Sequence, residues 1–255
     1  MKINFSTVLT RALAAGAVAG VLMGAYMYLV VEPTVDEAIE LEGMLAASEP
    51  VEAGAVDDPP LFDRDEQTAG GVAANVIYAL IVSCIFGTVF ARVRHRLPGA
   101  TDLARSVWLA VVAFGAVALL PAIKYPANPP AVGDPDTVDE RTVQYLGLIV
   151  VSLVVTVVLF RVGRALGQRV GRSTQTVAVS AITVVAFGVV LAALPGTPDA
   201  IGPDVPAALV WDFRLRSIGG LALLWGALGL GLGWLLDRDA AVSDAAAEQR
   251  AMVRG

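Results

Sequence analysis

Two aspartates one residue apart, Asp134 and Asp136, stand out in a chain that has very few side chains able to do chemistry. They sit in 121–141, PAIKYPANPPAVGDPDTVDER, a stretch of prolines and acids. Carboxylate and amide oxygens are hard donors suited to divalent cations, so Asp134, Asp136 and the nearby Asn128 are candidate metal ligands. A second pair, Asp36 and Glu40, is spaced to lie one helical turn apart on one face. It reads either as a two-carboxylate cation site or as a solvated helix face. The single histidine, His95, is flanked by Arg94 and Arg96, which would repel a metal cation, and reads as a solvated loop residue. A lone cysteine, Cys84, excludes an intrachain disulfide and a Cys-based zinc motif. With no nucleophile–base pair in view, the residues do not describe an enzyme.

The elements that must position these groups are membrane spans. The chain is 56% hydrophobic and 16% charged, against about 45–50% and 25% in soluble domains. A net charge of −6 argues against nucleic acid, which is bound by clustered cations. The expected fold is an all-α integral membrane protein with six transmembrane helices, at about 8–31, 70–91, 104–123, 142–160, 174–194 and 215–236, each near the ~20 residues that cross a bilayer. The first outlasts the roughly 7–15 apolar residues of a signal peptide and is read as a retained span.

Six spans put both termini on one side. Thirteen of the 18 Lys and Arg residues then fall on that side, which is expected to be cytoplasmic, in a cell-membrane, multi-pass topology. Thirteen of the 14 prolines fall in the outer segments, which should be stiff.

The expected organisation is a first span with a short outer amphipathic helix over 1–45, a flexible acidic linker over 46–69, five spans over 70–237, and a disordered cytoplasmic tail over 238–255. Val35, Ala38, Ile39 and Leu45 share one face of the amphipathic helix, which should lie on the outer membrane surface or pack against the bundle. Capping boxes are expected at Thr34–Glu37 and Thr137–Glu140, and Asp102 is a natural cap for the third span. Gly16, Gly20 and Gly24 continue a strict four-residue spacing from Ala12, a stripe for close helix packing, within the chain or against another subunit. Lys124, Tyr125 and Trp211 suit the headgroup level, while Arg214 could snorkel or pair an outer-loop acid. Pro126, Pro129 and Pro130 stiffen the loop, and Arg141 follows its turn. No Asp, Glu, Lys or His lies near a span midplane, so a permeating ion would meet hydroxyls, amides or backbone carbonyls.

The run KYPANPPAVGDPDTV with Arg141 and Tyr145, GVAANVIYAL in the second span, PAALVWDFRLRS before the sixth, and EPTVDEAIELE together resemble the CbtA family of predicted cobalt transporter subunits. That resemblance implies a membrane subunit of cobalt uptake, with no bound cofactor, cobalt(II) as the transported ion, and a small single-span partner bearing a histidine cluster. A non-transporting membrane scaffold that docks a partner through its outer loops is the alternative reading of the same residues.

Overall fold

The computed structural model describes residues 4–48, 62–130 and 132–254. Eight α-helices account for most of them: α1 (Phe5–Tyr26), α2 (Glu32–Ser48), α3 (Arg64–Val93), α4 (Asp102–Ala113), α5 (Leu120–Lys124), α6 (Val138–Gly167), α7 (Arg172–Ala193) and α8 (Ala207–Arg254). Single π-helical turns, Met27–Val31 and Phe114–Leu119, join α1 to α2 and α4 to α5. Six continuous helical stretches are long and apolar enough to cross a membrane, and each expected span lies within one, except that the fifth runs one residue past its helix. There is no strand among the described residues.

The chain divides into two compact units, Met1–Phe114 with Leu215–Gly255, and Gly115–Arg214. In the first, α1 and α3 meet along the glycine stripe. A Cβ on Gly16 would overlap the Ser83 side chain, one on Gly20 would come within 3.0 Å of the Val76 Cα, and one on Gly24 within 3.1 Å of Val72 Cγ1. Close backbone approach matters here because lipid tails are as apolar as leucine, which leaves van der Waals fit as the main source of helix–helix attraction. Along α8, Leu224, Leu228, Leu232 and Leu236 are fully buried at four-residue spacing. Gly229 faces Ala110 of α4, and Gly231 faces Ala15 of α1. Phe86 and Trp225 meet edge to face at 6.1 Å between α3 and α8.

Several local expectations are corrected. The chain does not break before α2: Thr34 is buried inside a continuous helix, and its hydroxyl accepts a hydrogen bond from Arg216 on α8. Arg216 also donates to the Val30 carbonyl in the π turn at 3.1 Å. Pro33, in the first turn of α2, has no N–H, and the wider π turn ahead of it accommodates that loss without a cap. The inward face of α2 carries Thr34 and Ala38, whereas Ile39 and Leu45 are exposed.

Residues 64–69 of the expected linker form the start of α3, entered through a capping box in which Glu66 N donates to Asp63 at 2.8 Å and Asp63 N to Glu66 at 3.1 Å. The middle of that linker, 49–61, lies outside the described residues. The segment expected to be a disordered tail is helical through Arg254. Its run AAAEQRAM is made of strong helix formers that extend α8.

Thr101, not Asp102, caps α4, accepting from Ala104 N at 3.1 Å. Asp102 is buried and bridges Arg94 at 2.8 Å and Arg105 at 3.3 Å. The Asp237 carboxylate completes the cap by accepting from the Asp102 and Leu103 amides at 2.9 and 3.2 Å. Gly99 makes the turn into α4 at φ +128, a left-handed conformation in which a Cβ would also press on Ala104.

In the second unit α6 and α7 form a hairpin, pinned where the Gln175 amide donates to the Gly163 carbonyl at 2.8 Å. The Ser152 hydroxyl of α6 donates to the Ala116 carbonyl of the π turn at 2.5 Å. No residue of α7 is buried, and Val177, Val184, Val185 and Val189 form an exposed apolar face suited to lipid.

Candidate functional site

The 121–141 loop of the second unit is built around one carboxylate, Asp199, whose side chain is only 3% exposed. Its Oδ1 accepts from the Asp134 amide at 2.8 Å, and its Oδ2 accepts from Arg141 Nη1 at 2.7 Å and from the Asn128 side-chain amide. Arg214 closes the circuit. It donates to Asn128 Oδ1 at 2.7 Å and to the Ala127 carbonyl at 3.1 Å. Asn128 thus links an acceptor to a donor, and its two ends are oriented by a carboxylate on one side and a guanidinium on the other.

The loop can fold this way because its turn is steered by three local devices. Gly133 adopts φ +109 directly against Asp199, where a Cβ would lie 2.6 Å from Oδ1. No other residue type permits both that backbone and that approach. Asp134 then accepts from the Asp136 amide at 2.9 Å and caps the single 3₁₀ turn Pro135–Thr137 that leads into α6. Thr137 donates back to the Asp134 carbonyl at 2.7 Å, and Glu140 accepts from Gln144 at 2.8 Å. The Thr137–Glu140 capping box expected from the sequence is therefore absent, since Asp134 stabilises that turn first.

At the base of the loop, the Lys124 ammonium donates to the Leu191 carbonyl at 2.8 Å, near the negative end of α7. Tyr125 donates to the Pro195 carbonyl at 3.1 Å. Tyr125 is 7% exposed and packs with Leu120 and Leu148, with Tyr145, Phe187 and Leu194 around them. Burial pushes its phenol above the ordinary value. Lys124 and Tyr125, two of the three residues expected at the headgroup level, are thus tied to the end of α7. Of the loop prolines, Pro129 is buried while Pro130 is exposed, Pro126 is half-buried, and Trp211 is 61% exposed.

The candidate metal ligands fare unequally. Asn128 and Asp134 are engaged in the loop's own bonds. Asp36 is paired with Arg64 at 2.8 Å, and the same guanidinium holds Glu32 at 2.6 Å. Asp136 and Glu40 are exposed, and neither carboxylate has an ion pair among the described residues. No group of three or more His, Cys, Asp or Glu residues comes together among the described residues.

Asp199, the organising residue, was not among the candidates. The sequence signal for it was the repeated Pro-Asp step, Pro198–Asp199 beside Pro135–Asp136. Chemically, one buried carboxylate between two guanidiniums is a structural clasp. Its charge is already compensated, and Arg141 and Arg214 would oppose a cation placed there.

No curated protein and no solved structure matches the chain. The family model described as probable cobalt transporter subunit (CbtA) matches residues 5–237, and the chain belongs to that family.

Proposed function

We propose that this chain forms the membrane path of a divalent-metal uptake system for cobalt(II), and that a separate single-span subunit bearing histidines captures the metal. The observation that carries this division of labour is the Asp199 clasp. It consumes the best-placed outer carboxylate together with Asn128 and Asp134, leaving a stiff loop with few free ligands. Cobalt(II) favours imidazole and carboxylate donors, which a partner can supply. Inside the spans, the hydroxyls of Ser152, Thr156 and Thr183 donate to backbone carbonyls, so they would meet an ion in transit only through their oxygen lone pairs.

The basic residues favour both termini in the cytoplasm, with the clasped loop outside. The test is cobalt uptake in cells making the chain with and without the partner. Saturable uptake should need both, and undiminished saturable uptake by this chain alone would overturn the division of labour. The rigidity of the clasped loop also suits a non-transporting scaffold. On that reading, uptake would be unmoved by any variant of this chain that remains folded.

A further inference from the structure

A groove of about 250 Å³ opens at the inner ends of α1 and α3, lined by Asn4, Phe5, Val8, Ala91, Arg92, Arg94 and His95. We infer that this groove binds the phosphodiester headgroup of an anionic phospholipid.

The lining is divided as such a ligand requires. Phe5, Val8 and Ala91 offer an apolar floor, while Asn4, Arg92, Arg94 and His95 bring polar and cationic groups to it. Arg94 is pre-positioned by its 2.8 Å bond to Asp102, and its Nε is buried without a hydrogen-bond partner. Arg92, His95 and the adjacent Arg96 have no acidic partner among the described residues.

Counted locally, the four guanidiniums of Arg92, Arg94, Arg96 and Arg105 outnumber the two carboxylates of Asp102 and Asp237, so the charge stays positive without any contribution from His95. Arg11, further along α1, is neutralised by Asp239 at 2.8 Å. The positive end of α1, where Asn4 caps Thr7 N at 2.8 Å, adds to the attraction for an anion. Basic recesses between spans at the membrane surface hold anionic headgroups in this manner. An apolar floor continuous with two spans favours a lipid over free phosphate, because acyl chains can follow it into the bilayer.

The test uses the full chain in detergent and native mass spectrometry, comparing retention of dioleoyl phosphatidylglycerol with that of dioleoyl phosphatidylcholine. Phosphatidylglycerol should be retained preferentially. Arg92→Gln and His95→Gln together should reduce that preference by about fivefold or more, fivefold being the loss expected for the Arg92 cation alone. Arg169→Gln, on the loop between α6 and α7, should leave it unchanged.

Equal retention of the two lipids would overturn the inference, as would an equal loss of preference in the Arg169 variant. Displacement of the lipid by millimolar inorganic phosphate would overturn the lipid assignment in favour of free phosphate. This outcome is independent of metal uptake, so the groove and the transport reading stand or fall separately.

Discussion

Arg141 Nη1 lies 2.7 Å from Asp199 Oδ2, and this pair bridges the segment that opens α6 to the loop that follows α7. A mostly buried ion pair is worth little beside an apolar replacement, but breaking it from one side strands a charge. Asp199→Ala leaves the Arg141 and Arg214 guanidiniums facing each other's field and deprives Asn128 and the Asp134 amide of their acceptor. The expected cost is about 3–5 kcal/mol, read as a fall in the thermal midpoint of the purified protein. Adding Arg141→Gln should recover part of that loss. Strictly additive effects of the two substitutions would show that the pair is not coupled in the native protein.

Asp136 separates transport from architecture. Its carboxylate projects from the 3₁₀ turn without a described partner, while its amide serves Asp134. Asp136→Asn keeps the amide and removes the charge. If outer carboxylates help to concentrate the metal, cobalt uptake by the assembled system should fall severalfold with membrane abundance unchanged. Asp199→Ala, by contrast, should lower abundance and uptake together. Uptake unmoved by Asp136→Asn would remove this carboxylate from the ion's route.

Tyr125 predicts a pH dependence. Its folded-state pKa is raised above the ordinary 10.0 by burial, so the native protein favours the neutral phenol. That contribution is fully present below about pH 10 and is lost as pH rises from there through the higher folded value, because the unfolded chain ionises first. Tyr125→Phe should lose about 1 kcal/mol at neutral pH with the bond to the Pro195 carbonyl. It should then show a shallower decline in thermal midpoint above about pH 10. Parallel declines in the two proteins would mean that the phenol titrates as if exposed.

The six spans were legible because a bilayer satisfies the backbone only in helices or closed barrels, and a continuous apolar run of about 20 residues fits a helix and not a barrel strand. The glycine stripe was legible for a similar reason, since its spacing is fixed by helix geometry whatever it meets. Its partner was not: only the fold identifies Val72, Val76 and Ser83 as the residues it faces. The capping boxes at Thr34 and Thr137 failed because a four-residue motif ignores competitors. Arg216 engages Thr34, and Asp134 reaches the turn before α6 first. Asp199 was hidden because its partners Asn128, Asp134 and Arg141 come from a loop more than fifty residues away in sequence. Sequence spacing cannot report which of several acids a folded loop will enclose.

The glycine stripe itself can be tested by pushing α1 away from α3. Gly16→Ala places a Cβ where Ser83 Cβ and Oγ already sit, with the Ala79 carbonyl 3.3 Å away. Rotating the serine moves Oγ but cannot move Cβ, so one helix must shift. The expected cost is about 1–3 kcal/mol, measured as lost thermal stability and a lower yield of monodisperse protein. Ser83→Gly vacates the contested space, so the double variant should recover much of the loss. Ser83→Ala, which keeps the Cβ, should recover little. If Gly16→Ala leaves the isolated chain stable but abolishes co-purification of another subunit, the stripe serves an interface between chains in place of the contact with α3.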